Sequence, residues 1–506
     1  MKQYEMFELE FKGKAPENFE ACINVKAEFT CSDETKTVKG FYAGNNIYKV
    51  RYYPSKPGSY TWHVHGAVEG SGTEECIPFT SHGMVKVDGE HFKYEDNTQY
   101  YPFGTTIYAL LHQVPELMEK TMRTLAQAPF NKVRMCLFPK HYDYNNNEPR
   151  LFAFEKNDGR FDVHKPCFEY WELLEDTILR LDKLGIQCDL ILFHPYDHWG
   201  FSKLTKEECM VYLDYAVRRL SAFPNVWWSL ANEYDLMENF ERSWWYDFAR
   251  FIGENDPYGH LLSNHNWMTY WDFDDPHTTH CCIQGGNVGD VPSLKKKYNK
   301  PVIFDECGYE GDLMYSWGNL SGFEIVHRIW TAVAGGGYCT HGETFANDDE
   351  ILWWSKGGSL HGKSPKRIEF LRRIVEALPG PLTAVPDPFF DFTPEMVEAW
   401  KNDPVAWENL GNVGRCLAQL PQEKLEALAA GMRVVSSQCG QEAYLTYYGR
   451  QCMGNAIVNL PQDMDYKVEV IDVWDMTREE VAYGVSGEVR VVLPGKEGMA
   501  VLATRI

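Results

Sequence analysis

Residues 226–235, VWWSLANEYD, impose the tightest constraint on what this chain can fold into. An apolar run ends directly in Asn232 and Glu233. A strand buried on both faces has this pattern, and such strands belong to parallel sheets covered by helices. The last residues of such a strand surface at the carboxyl edge of the sheet, where α/β barrels carry their chemistry. Residues 301–308, PVIFDECG, repeat the arrangement and end in Asp305 and Glu306. Two buried strands are thus expected to deliver a glutamate each to one rim.

The surrounding sequence supports a barrel. From about residue 98 to 380, buried strands are expected at 102–108, 132–138, 188–193, 226–231, 261–264, 282–284, 302–305 and 336–340. Amphipathic helical stretches lie between them at 114–126, 168–184, 206–222, 240–252 and 322–334. Eight strands alternating with helices over this length match a (β/α)₈ TIM barrel, an α/β fold. A doubly wound open sheet would want a glycine-rich first turn, and Gly104-Thr105-Thr106 is not one.

Before the barrel, segments such as Phe7-Glu8-Leu9-Glu10-Phe11 and Ala27-Glu28-Phe29-Thr30 alternate apolar and polar residues between turn signals. They predict an antiparallel, immunoglobulin-like β-sandwich over residues 1–82. Barrel and lead-in then occupy 83–380. A proline-rich passage at 379–394 reads as a linker. A short helix near 422–430 and a run of strands starting at 433–435 predict a second β-sandwich within 381–506.

The chain has 506 residues and a formal net charge of −23, which argues against nucleic acid or an anionic membrane as partner. No apolar run approaches the roughly 20 residues that span a bilayer, and the first residues show no signal-peptide pattern. The fourteen cysteines lack paired CxxC spacing, so reduced thiols and a cytoplasmic location are expected. Oligomeric state is open, a homo-oligomer included. The 16 Trp and 29 Tyr offer faces for stacking on sugar rings, although cores use the same residues.

Glycoside cleavage needs one carboxyl group to protonate the leaving oxygen and a second to act as nucleophile or base. Glu233 and Glu306 suit those roles, and the Asn232 amide could bind a sugar hydroxyl. A glutamate after a strand is more often a plain loop carboxylate. Two such junctions, at strands four and seven, set this pair apart. His194, Asp197 and His198 could instead hold a metal, which would make a metal-dependent hydrolase. No HxH or HExxH accompanies them, so neither metal nor cofactor is expected.

Asn232-Glu233 after strand four and Glu306 after strand seven resemble the signature of clan A glycoside hydrolases, the retaining barrel enzymes related to family 5. The flanking β-domains resemble a group of glycosyl hydrolases with an immunoglobulin-like N-terminal domain and a C-terminal β-domain. The resemblance implies Glu233 as acid/base, Glu306 as nucleophile and Asn232 near the sugar 2-hydroxyl. It places Arg134 beside the nucleophile, where a cation would keep Glu306 ionised; a purely structural ion pair is the alternative. His194 would line the sugar site, with Trp199 as a stacking face. His265, His341 and Glu343 follow strands five and eight and could also face substrate. The tryptophan that the family often has after strand eight is absent, and Trp354 could replace it. The expected activity is retaining, exo-acting hydrolysis of a short oligosaccharide or plant-derived glycoside. A non-catalytic carbohydrate-binding protein on a degenerate barrel is the competing reading.

Overall fold

The computed structural model describes residues 1–346, 351–386, 394–425 and 434–506. The chain divides into two compact units. The first comprises Met1–Gly285, Tyr298–Leu320 and Thr340–Gly362.

Within the first unit, the opening residues form two antiparallel sheets. Val25–Cys31 pairs with Glu34–Lys39 on one side and Gly58–Gly66 on the other, and Gly70–Cys76 extends the edge. Ile47–Tyr52 pairs with Phe7–Lys12 and Phe41–Tyr42. The alternation of Val25, Ala27 and Phe29 buries one face, and Phe29 stacks on Tyr52 at 4.0 Å between centroids. Gly70–Cys76, GSGTEEC, has no apolar alternation, which is why periodicity does not reveal it.

The parallel strands follow. They are β1 (Gly104–Thr106), β2 (Lys132–Cys136), β3 (Gln187–Phe193), β4 (Val226–Ala231), β5 (Leu262–Ser263), β6 (Cys281–Gln284) and β7 (Val302–Glu306). Neighbours in sequence pair in parallel from β1 to β5 and from β6 to β7, and a His265–Cys282 bridge links the two sets. The Thr340–His341 segment completes the circuit. The Thr340 N–H donates to the Phe304 carbonyl (2.9 Å) and the His341 N–H to the Gly104 carbonyl (2.8 Å), so the order of neighbours returns to β1. Helices α1 (Pro115–Leu125), α2 (Phe168–Lys183), α3 (Lys206–Leu220) and α4 (Arg242–Asn255) fall between β1 and β5. Side chains also reach across the ring: Lys132 Nζ on β2 lies 2.7 Å from Asp189 on β3 and 2.6 Å from Asp305 on β7. All three are almost fully buried, and a buried lysine persists when carboxylates pair it.

The second unit comprises Gly286–Lys297, Ser321–Cys339 and Lys363–Ile506. It holds helices Gly322–Ala334 and Ser364–Glu376, a six-stranded antiparallel sheet and a separate pair, Asn455–Asn459 with Glu488–Val492. The expected linker at 379–394 instead contributes Thr383–Val385 to the sheet, paired with Val435–Cys439. Three helices, Pro394–Asn402, Pro404–Asn409 and Gly411–Leu417, follow it. The expected helix near 422–430 and strand at 433–435 fall partly outside the described residues. Strand Thr477–Val485, TREEVAYGV, escapes sequence reading because most of it is exposed and polar. No helix among the described residues is long and apolar enough to cross a membrane.

Candidate active site

Glu233 follows β4 after one intervening residue, Asn232, and is buried. Its backbone is left-handed, at φ 55° and ψ 56°, a conformation that costs a non-glycine residue on the order of 1 kcal/mol or more. The strain is fixed on both sides. The Asn232 N–H donates to the Phe193 carbonyl (2.9 Å) and the Tyr234 N–H to the His265 carbonyl (3.0 Å). The Tyr196 hydroxyl donates to Glu233 Oε2. Asn232 Oδ1 and Nδ2 are both buried and hydrogen-bonded to nothing among the described residues.

Glu306 is the last residue of β7, and its carbonyl accepts the Gly285 N–H (2.8 Å). The Tyr108 hydroxyl donates to its Oε1. Arg134 Nη1 lies 3.6 Å and His265 Nε2 4.0 Å from the same oxygen. Burial pushes the Glu306 carboxyl up to about 8, opposed by the Tyr309 hydroxyl. Burial also holds His265 well below its ordinary value, helped by Arg134, so it stands neutral beside Glu306. Arg134 is thus the cation next to this carboxylate, as the resemblance implies. Its charge is also shared with Asp189 (3.6 Å) and Asp305 (4.0 Å), so the structural ion pairs and the contact with Glu306 coexist.

The other predicted residues divide. Trp354 joins Tyr108, Cys136, Ile191 and Tyr309 in one buried aromatic cluster beside Glu306, with its ring centroid 5.9 Å from that of Tyr108. His194 Nε2 lies 3.1 Å from the Phe138 carbonyl, which it meets as a donor, and among the described residues no hydrogen bond or ion pair joins it to either glutamate. Trp199 donates to Glu148 Oε2 (3.0 Å) and packs edge-on against His141. The Asp197 carboxylate accepts the N–H groups of Trp199, Gly200 and Ser202 and the Ser202 hydroxyl, so it shapes this loop. That engagement leaves the expected alternative of a His194–Asp197–His198 metal site without a free carboxylate.

Among the described residues, His341 and Glu343 make their contacts away from the glutamate pair. Strand alternation explains it: the Thr340 hydroxyl points inward to Asp305 (2.7 Å), and Gly342 packs so closely on the Tyr309 ring that a Cβ would lie 2.2 Å from it. The intervening residues face the other way. His341 stacks on Phe130 and meets Thr105 Oγ1 at 3.0 Å. Glu343 accepts the N–H groups of His361 and Gly362. Donor atoms of Glu310, His341 and Glu343 lie within 4.8 Å of one another, close enough to hold a metal ion. Both Glu343 oxygens already have backbone donors, so a cation is not required to explain its burial.

Residues that sequence reasoning misses surround the pair. They are Tyr108 and Tyr196, which hold the two carboxylates, Tyr309, and Lys140. Lys140 is buried, and its Nζ sits 3.5 Å from the Tyr108 ring centroid and 4.3 Å from that of Tyr196. Residues 139–142, PKHY, carry no motif that announces a buried lysine.

Two buried glutamates at the ends of parallel strands, each on a tyrosine hydroxyl, agree with what the comparisons with known proteins show: the molecule is a glycosidase, with a carbohydrate substrate. Residues 86–380 match the family described as an apiosidase-like catalytic domain, and the chain belongs to that family. Residues 1–67 and 433–504 match two further families of unknown function, DUF5060 and DUF5605. A solved structure from Bacteroides vulgatus ATCC 8482, described as a glycoside hydrolase, is 35% identical, with a TM-score of 0.85 over 100% of this chain and 99% of that one. A second structure named glycoside hydrolase is 13% identical with a TM-score of 0.60, covering 84% of this chain and 97% of that one. A family 5 glycoside hydrolase from the same Bacteroides strain is 14% identical with a TM-score of 0.59, over 84% of this chain and 94% of that one. The last two speak for the fold alone. No curated protein matches the sequence.

Proposed function

We propose that the protein is a retaining, exo-acting glycosidase of short or plant-derived glycosides, with its ring of parallel strands read as a (β/α)₈ barrel. Residues 1–82, 83–380 and 381–506 are read as its three parts, in a cytoplasmic protein. The family's name makes an apiose-bearing glycoside the first substrate to try. The observation that carries the reading is the pair itself: Glu233 and Glu306, buried at the ends of β4 and β7, each accepting a tyrosine hydroxyl.

In the first step Glu233 protonates the leaving oxygen while Glu306 attacks the anomeric carbon. The bond to the leaving group breaks as the Glu306–glycosyl ester forms. Glu233, now a carboxylate, then takes a proton from water, which attacks the anomeric carbon and releases Glu306. The Asn232 amide, with both polar atoms unpartnered among the described residues, is placed to bind a sugar hydroxyl. Arg134 and the Tyr108 hydroxyl stabilise Glu306 as it leaves the ester.

One observation favours exchanged roles. Burial pushes Glu306 up to about 8, which suits a proton donor. Azide separates the two readings. With an aryl glycoside substrate, Glu306→Ala rescued by azide should give a glycosyl azide of inverted configuration, and Glu233→Ala one of retained configuration. The opposite pattern would exchange the roles, and full turnover by Glu306→Ala without azide would end the reading.

A further inference from the structure

The buried charges along these strands and just beyond them can be counted. Lys132 and Arg134 each lie within ion-pair distance of Asp189 and Asp305, so two cations match two aspartates. A third buried cation, Lys140, has no carboxylate within ion-pair distance among the described residues. It faces aromatic rings instead, and the two nearest are those whose hydroxyls hold Glu306 and Glu233. The site is electrically balanced when one of the two glutamates is ionised and the other protonated. Double displacement requires the same state.

We propose that Lys140 is the positioning residue that sets this division of charge: its ammonium, seated against the rings of Tyr108 and Tyr196, acts through their hydroxyls to keep Glu306 ionised and leave the proton on Glu233. This rests on the glycosidase reading of the pair. A cation against an aromatic face draws on the ring's electrons, and at these distances the attraction is substantial when water is excluded. A phenol so polarised is a stronger donor, and a stronger hydrogen bond to a carboxylate favours its charged form. The geometry is asymmetric. Lys140 is closer to the ring of Tyr108, at 3.5 Å, than to that of Tyr196, at 4.3 Å, so the effect carried through the rings is larger at Glu306, while Glu233 is the glutamate whose charge acts on Lys140 directly.

The other groups around Lys140 do not blur the effect near neutral pH. On β2, burial pushes the Cys136 thiol up to about 12, and Arg134 stays charged. Burial pulls His194 down to about 4 and His265 well below its ordinary value, so both are neutral. Tyr142, 5.2 Å away by ring centroid, is also held protonated by burial. Lys140 itself is drawn down by burial to about 8, opposed by the charge of Glu233, so it carries its charge on the acid side of neutrality and loses it above about pH 8.

The test is Lys140→Met, which keeps the length of the side chain and removes the charge. Loss of a cation raises carboxyl pKa values. Both limbs of the kcat/KM profile should therefore move to higher pH, the acid limb by about one unit, with kcat at pH 6 reduced about tenfold. Lys140→Arg should return the limbs most of the way, and Tm should change little in either variant. Unmoved limbs with kcat within about twofold would overturn the proposal, as would a loss confined to KM, which marks a substrate contact instead. An infrared titration needs no turnover. The carboxyl band that disappears in Glu306→Gln should titrate at higher pH in Lys140→Met than in the parent, and an identical midpoint would refute the inference. If the parent protein hydrolyses no glycoside, the glycosidase reading fails while the infrared midpoint still decides the role of Lys140.

Discussion

Two groups of buried carboxylates in this molecule share a residue type and differ in how they are satisfied. Glu343 lies beyond the last strand of the ring with both oxygens on backbone N–H groups, next to Glu310 and His341. Glu233 and Glu306 each take a tyrosine hydroxyl, and around them stand buried polar groups with no hydrogen-bond partner among the described residues: the Asn232 amide, the Arg134 guanidinium and both ring nitrogens of His265. Leaving a buried donor or acceptor without a hydrogen bond costs about 1–3 kcal/mol, a cost that the ion pairs of Arg134 offset at that one group. A fold tolerates that where a ligand completes the bonds. On the proposed reading the first group is architecture and the second the site, and burial alone does not tell them apart.

Substitutions should separate the two. Glu306→Gln is expected to lower kcat/KM by on the order of 10⁴ or more, because an amide cannot form the ester. An effect below tenfold in a steady-state assay would erase the distinction. Tyr196→Phe removes the donor to Glu233 and should lower kcat/KM about 10- to 100-fold. Glu343→Ala should leave kcat/KM within about threefold and cost about 1–3 kcal/mol of stability, read as a fall of a few degrees in Tm.

Glu343 also predicts a pH dependence of stability. Burial raises its carboxyl to about 7, above the value expected in the unfolded chain. Between about pH 4.5 and 7 the folded protein thus binds more protons than the unfolded one, and stability falls as pH rises through that window. Glu343→Gln should flatten the decline in a series of thermal melts. The smallest expected effect is that of a chelator. With Asp197 engaged by three backbone N–H groups, dialysis against EDTA should change activity by less than about twofold. A large loss would revive the metal-dependent alternative.

How much of the fold and site is legible in the sequence follows from which interactions are local. The apolar runs into Glu233 and Glu306 are contiguous, so the residue pattern alone carries their burial and strand type. The same strand-end logic selects His265 and the family resemblance selects Arg134, and both reach Glu306. His341 and Glu343 satisfy it too and yet face away. Alternation separates them only once Thr340 and Gly342 are known to point inward, and that depends on contacts with distant strands. Tyr108, Tyr196 and Lys140 carry no local signal. They sit in irregular segments, the two tyrosines among 29, and their roles arise only when distant strands bring them to the glutamates. Strand Thr477–Val485 escapes notice for a related reason, since a mostly polar, exposed element leaves little periodic trace.

The central claim is that Glu306 becomes covalently attached to the sugar. Rapid-quench mass spectrometry of the intact protein and its peptides, under saturating aryl glycoside, tests it directly. The account predicts one glycosyl mass on the peptide that contains Glu306, absent from Glu306→Gln. A glycosyl mass on the peptide containing Glu233, or turnover with no adduct on either, would contradict it.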